Sequence, residues 1–402
     1  KSFPKQGQLA GQKAKLYIHA NHQQFMDITG MGPGTGGFYT IASGQVTAYH
    51  GSFGTTGTTY EVLAHEGTHQ FQGFLMKSFW ACPMWVAEGM AVFFGDGSEM
   101  HRGKIKVGLI PRDRLVGLRR MIEAGDAGAD LNTILLKGPP FPGALYASAW
   151  GIVYWCLYGN RAPVKTGVNY GVKIFEDFLM GVLNDTNPVD YQKSARKFRG
   201  LVEEHSGKGA DEWYSEYKDW VMKLPVKRLG VKKGSKFVSE ALKLEVKKPK
   251  GMSFVKDKNL RKSEVTAMKT KKGGQRIASY VWSNRGHTEL SVQAVQGAFS
   301  SLFTVEQHEY EKESDTSGFR EKFNAGHPTL EAVFSGKINP ALVSDVSNKK
   351  QAEKDVETKK FRVVFYANYD RIYLNVIESE PGSFGEANSN FEKYLDGFKI
   401  LK

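Results

Sequence analysis

Leu63-Ala64-His65-Glu66-Gly67-Thr68-His69-Gln70-Phe71, with eighteen residues between His69 and the Glu88 of Trp85-Val86-Ala87-Glu88-Gly89-Met90-Ala91, is the stretch on which the reading of this chain turns. Side chains four apart on a helix lie one above the other, so His65 and His69 present ring nitrogens to one point and Glu66 lies beside it. Two imidazoles and two carboxylates at these spacings are suited to catalytic zinc.

The helix is predicted independently of the motif. Thr58 and Glu61 form the Ser/Thr-x-x-Glu signature of a capping box. Tyr60, Leu63, Ala64, Gly67, Phe71 and Phe74 recur at three- and four-residue steps and are expected to form a buried stripe. Gly67 costs such a helix about 1 kcal/mol relative to alanine, which suggests a close approach there. Pro83 suits a first helical turn, and the apolar residues after it predict a second, buried helix in which Glu88 is the only carboxylate between Trp80 and Asp96. A lone buried carboxylate is costly without a partner, and a divalent cation is the partner the histidines suggest.

At 402 residues with 41% hydrophobic content the chain is long enough for two domains, or three, with real cores. No repeat or low-complexity tract interrupts it. The uncharged run Gly138 to Asn160 is broken by Pro139, Pro140, Pro142 and Gly143, leaving about fifteen helical residues, too few to span a bilayer. Gly32-Pro33-Gly34-Thr35-Gly36-Gly37 matches GxGxxG but leads into Phe38-Tyr39-Thr40-Ile41, which reads as a strand, so the dinucleotide fingerprint is rejected. The net charge is +13, much of it between Lys227 and Lys272. Without a base-reading helix or an aromatic RNA motif this excludes specific nucleic-acid recognition and leaves a solvated face, with contact to an anionic cell surface as the alternative.

HExxH followed after eighteen residues by Glu resembles the gluzincin metallopeptidases, and within them an uncharacterised bacterial group, domain of unknown function 1570. The matching segments are Leu63 to Phe71, Trp85 to Ala91 and the softer Leu145-Tyr146-Ala147-Ser148-Ala149-Trp150, and the likeness spans roughly residues 15 to 224. It implies a thermolysin-like α+β fold, one Zn2+ on His65, His69 and Glu88, Glu66 as general base, and peptide or protein substrates. Related peptidases stabilise the oxyanion with a Tyr or His from a later helix, which makes Tyr146 the catalytic candidate ahead of Tyr154 and Tyr158. Zinc aminopeptidases of similar spacing grip the substrate amine with a Glu upstream of the motif, whereas here no acidic residue lies between Asp27 and Glu61. Endopeptidase chemistry is expected, with aminopeptidase chemistry and an inactive or structural zinc protein as alternatives.

Upstream, Lys15 to Ala20 reads as a strand, His22 to Thr29 as a helix, and Phe38 to Ala42 and Gln45 to His50 as strands. By analogy with gluzincins, Gln45 to His50 is expected to be the edge strand that pairs with substrate, and His50 to be a packing or surface residue.

Glu203 to Leu224 reads as one amphipathic helix ending at Pro225. The expected domains are a catalytic one over 1–224, a basic linker over 225–250 and an α+β accessory domain over 251–402. In the last, Arg276 to Trp282 and Thr288 to Val295 alternate like strands, Phe361 to Ala367 and Arg371 to Ile377 flank a turn at Asn368-Tyr369-Asp370, and Ser383 to Phe398 reads as a closing helix. The order of elements over roughly 237–402 is similar to the PsbP-like and Mog1-like sandwich group, without a sharp motif. Cys82 and Cys156 are expected as buried free thiols, a disulfide between the two active-site helices being the alternative. The family likeness and a start at Lys1 lead to the expectation of an exported protein, periplasmic or at the cell surface.

Overall fold

The computed structural model describes residues 13–53, 57–159, 170–256, 259–261, 263–272, 274–284, 292–308, 320–324, 327–343, 349–368 and 371–401. It is a mixed α+β chain that divides into two units, Lys1–His50 with Gly57–Lys227 and Gly51–Thr56 with Arg228–Lys402.

The first unit opens with β1 (Lys15–His19), α1 (His22–Thr29), β2 (Gly37–Thr40) and β3 (Gln45–Tyr49), and its sheet has the order β1-β3-β2. The strand expected to receive substrate, Gln45 to His50, is thus the central one, parallel to β1 and antiparallel to β2. Its two backbone edges are already used, and β1 and β2 form the sheet's edges.

Then come α2 (Thr59–Leu75) and α3 (Met84–Phe94). Thr58 occupies the N-cap of α2 with extended backbone, but its side chain makes no capping hydrogen bond, so the predicted capping box is not closed. The predicted apolar stripe is corrected too. The buried face consists of His65, Thr68, His69, Gln70 and Gln72, while Phe71 is exposed. The Gln70 amide donates to the Gly44 carbonyl at 2.7 Å, which ties this polar face to the turn between β2 and β3. Nothing lies within 4 Å of where a Cβ at Gly67 would stand, so close packing does not explain that glycine.

Helix α3 is apolar all round, as a helix enclosed by neighbours must be, and it buries Trp85, Val86, Ala87, Gly89, Ala91, Val92 and Phe93 along with Glu88. A hairpin of β4 (Ser98–His101) and β5 (Lys104–Val107) leads to α4 (Arg112–Ala124), α5 (Leu131–Leu136), α6 (Leu145–Tyr158), α7 (Tyr170–Asn184), α8 (Tyr191–Ser206) and α9 (Ala210–Lys223). Where one helix over Glu203 to Leu224 was expected there are two. Gly207 takes a left-handed φ of 69°, caps α8 on the Glu203 carbonyl and turns the chain into α9. Trp85, Trp150, Trp213, Phe178 and Phe198 fill the helical core. No helix among the described residues is long and apolar enough to cross a membrane. Cys82 and Cys156 are free and buried, and burial pushes both thiols up.

In the second unit, Val231–Lys233, Lys236–Ser239 and Leu244–Lys247 are strands joined by Phe398–Ile400 into one sheet. The stretch expected as a linker therefore carries regular structure, because Phe237, Leu244 and Val246 alternate with the lysines and are buried. The larger sheet runs Met252–Phe254, Glu264–Thr270, Gln275–Ser283, Arg371–Ser379, Lys359–Ala367, His327–Ile338 and Phe303–His308, all antiparallel, with Arg320–Asn324 also on His327–Ile338. Phe384–Asp396 is the closing helix and buries Ala387, Phe391, Tyr394 and Leu395. Val292–Leu302 is a helix, which overturns the strand expected over Thr288 to Val295. Residues 288–291 and the turn residues Tyr369 and Asp370 lie outside the described residues.

Candidate metal centre

One turn of α2 carries His65 and His69 on its buried side, and α3 brings Glu88 across to them. The closeness of the two helices has a backbone cause. A Cβ at Gly95, just past the end of α3, would stand 2.9 Å from the Cβ of His65 and from the carbonyl oxygen of Glu61. Behind α3, a Cβ at Gly89 would lie 2.6 Å from the Ala149 carbonyl oxygen, so the glycine after Glu88 lets α3 sit directly on α6.

Glu88 Oε2 lies 3.2 Å from His65 Nε2 and 3.4 Å from His69 Nε2. One ligand atom from each of the three residues falls within 4.8 Å of the others. Oε2 is buried and has no hydrogen-bond partner among the described residues. Atoms about 2.0–2.1 Å from a tetrahedral zinc stand about 3.3–3.4 Å from one another, so the two carboxylate–imidazole spacings and the orphaned oxygen fit a zinc ion.

Electrostatics repeat the pattern. Burial alone would raise the Glu88 carboxyl, but His65 and His69 beside it hold it down at about 2. Burial disfavours a charged His69, yet Glu88, then Glu66 and Gln72, raise it to about 9. The pocket thus favours positive charge next to an ionised carboxylate.

His69 Nδ1 lies 3.1 Å from Gln72 Oε1, and the Gln72 amide donates at 3.2 Å to the carbonyl of Ala87. An amide oxygen can only accept, so the hydrogen on Nδ1 is retained, and when His69 gives up its second proton it is Nε2 that turns a lone pair toward Glu88. Gln72, which the sequence reading missed, therefore links a histidine of α2 to the backbone next to Glu88. Its only signal was its place three residues after His69 on the buried face.

Tyr146, at the start of α6, stacks on His65 with ring centroids 5.9 Å apart and planes inclined by 16°. Burial, then Glu88 and Glu66, raise its hydroxyl above the usual phenol range, so it stays a donor. Tyr154 and Tyr158 stack on each other further along α6, and the buried Tyr154 also packs against Trp220 with the rings tilted by 35°. Phe79 faces His69 edge-on at 6.4 Å and packs against Tyr39 in a tilted arrangement at 6.1 Å. Glu66 is half-buried, and its charge is felt by both His69 and Tyr146. Arg114, a second residue missed from sequence, lies over the Tyr146 ring at 5.5 Å and donates through Nε to Asp96 at 2.6 Å.

The part of the chain that builds this centre has relatives. Residues 60–166 match the family described as Protein of unknown function (DUF1570). The match takes in α2, α3, α4, α5 and α6, and with them His65, Glu66, His69, Glu88 and Tyr146. No curated protein matches the chain. Among solved structures, the solution structure of cyanobacterial PsbP (CyanoP) from Synechocystis sp. PCC 6803 is similar at 10% identity over 44% of this chain and 100% of that one. Its TM-score of 0.28 makes it a weak neighbour that carries no argument here.

Proposed function

We propose that the first unit is a gluzincin-type zinc metallopeptidase domain that hydrolyses peptide bonds. The observation that carries the reading is the buried Oε2 of Glu88 facing two imidazole nitrogens at zinc-like spacing, with a second carboxylate, Glu66, one residue along from His65.

Zinc bound by His65, His69 and Glu88 would supply a Lewis acid and a water whose pKa is lowered toward neutrality. Glu66 takes the proton from the attacking water and returns it to the leaving amine as the C–N bond breaks. Tyr146 keeps its proton and donates a hydrogen bond to the oxygen of the tetrahedral centre. Gln72 holds the His69 ring in the tautomer that coordinates. A purely structural zinc site would have no need of Glu66, and the absence of acidic residues between Asp27 and Glu61 favours internal cleavage over removal of N-terminal residues.

The test is hydrolysis of a denatured protein by the full chain with chelator and with added zinc. Cleavage that stops on chelation and returns with one equivalent of zinc supports the reading; chelator-resistant cleavage, or none with zinc bound, refutes it.

A further inference from the structure

We propose that Arg114 sets specificity at this centre by binding a carboxylate of the substrate beside the scissile bond. The inference rests on the peptidase reading above, and its subject is the substrate class. Arg114 belongs to the first turn of α4, and its Nε donates to Asp96, which follows α3 by two residues. The guanidinium lies over the ring of Tyr146, and that ring stacks on His65. The order His65, Tyr146, Arg114, Asp96 therefore places a cation one aromatic ring away from a metal ligand.

The way Arg114 is held separates a binding role from a structural one. Arg261 in the second unit shows the structural form: both terminal nitrogens close on Glu378 at 2.7 and 2.6 Å, and the side chain is 1% exposed. Arg114 uses only Nε, its side chain is 31% exposed, and its terminal nitrogens have no hydrogen-bond partner among the described residues. Asp96 fixes the guanidinium plane, the Tyr146 face supports it, and two parallel N–H groups are left for a planar anion. A carboxylate matches that fork, whereas a neutral carbonyl uses half of it. The two sources of such a group are an Asp or Glu side chain of the substrate and its terminal carboxylate.

The probe is a randomised peptide library in three versions: free acid, C-amidated, and with Asn and Gln replacing Asp and Glu. Each is digested by zinc-loaded wild type and, separately, retained on zinc-loaded Glu66→Gln. A charge-assisted pair in a half-buried site predicts about tenfold enrichment of carboxylate-bearing peptides, falling below about twofold in Arg114→Ala. Arg114→Glu shifts the preference toward Lys and Arg, and Arg114→Lys, which keeps the charge without the fork, lies between. Enrichment lost on amidation assigns the terminal carboxylate; enrichment lost with Asn and Gln assigns the side chain. Arg114-dependent retention without cleavage overturns the peptidase reading and leaves the anion site standing. Cleavage and retention with no carboxylate preference, or one unchanged in both Arg114→Ala and Arg114→Glu, overturns the proposal and leaves the peptidase standing.

Discussion

Replacing Gln72 by Leu removes one acceptor and one donor from a side chain that is 2% exposed, at nearly constant volume. The Nδ1–H of His69 then loses the oxygen 3.1 Å away, and the Ala87 carbonyl loses its amide donor at 3.2 Å. A buried donor left unpaired costs about 1–3 kcal/mol. The ring can escape that cost by moving its hydrogen to Nε2, which abolishes the lone pair that faces Glu88. Either outcome weakens the metal site, and loss of such supporting hydrogen bonds lowers metal affinity by about 10–100-fold, or about 1.4–2.8 kcal/mol. Gln72→Glu keeps an acceptor for Nδ1–H and makes it anionic, so zinc affinity should hold or rise, although the donor to Ala87 is gone. The assay is competition for zinc against a chromophoric chelator at fixed pH, with circular dichroism to show that the fold is retained. Zinc affinity of folded Gln72→Leu within about twofold of wild type would refute the tautomer argument, since the smallest loss it allows is about tenfold.

The helix contacts and charges give further expectations. Gly89→Ala drives a methyl to 2.6 Å from the Ala149 carbonyl oxygen, and overpacking of that kind costs about 1–3 kcal/mol; denaturant unfolding of the variant should show that loss. Gly67→Ala meets open space on a helix and should raise stability by up to about 1 kcal/mol in the same measurement. The metal-free protein should have a pH-dependent stability written by the pair Glu88 and His69. The carboxyl is lowered from 4.5 to about 2, so its contribution is present above 4.5 and lost as pH falls through about 2; the imidazole is raised from 6.5 to about 9, so its contribution is complete below 6.5 and lost as pH rises through about 9. The alkaline loss should vanish in Glu88→Gln, as followed by thermal unfolding in the presence of chelator.

The grouping of His65, His69 and Glu88 was legible because most of it is local. His65 and His69 are one helical turn apart, and Glu88 is the one carboxylate of an otherwise apolar helix. What supports the centre was harder to read, since Gln72 and Gly95 act through neighbours that only the packing of α2 on α3 supplies, and Arg114 reaches Tyr146 from a different helix. The histidine face is the buried one and Phe71 is exposed, because His65, Thr68, His69, Gln70 and Gln72 take the interior that an apolar stripe was expected to fill. Strand order escaped as well: the alternation in Gln45–Tyr49 is the same at the centre of a sheet as at its edge. Val295, Phe299 and Leu302 are buried at steps of four and three, the helical period, yet over Thr288 to Val295 alone the sequence also alternates. The lysines after Pro225 masked strands whose apolar residues lie between the charges.

The central claim is that Glu66 performs proton transfer at a zinc ion held by His65, His69 and Glu88. The most direct measurement is the single-turnover cleavage rate of one peptide by wild type and Glu66→Gln protein shown by mass spectrometry to carry equal zinc. The account predicts equal metal content and a rate lower by about a hundredfold or more in the variant, the scale of general acid–base catalysis. Equal rates, or no cleavage by the zinc-loaded wild type, would contradict it.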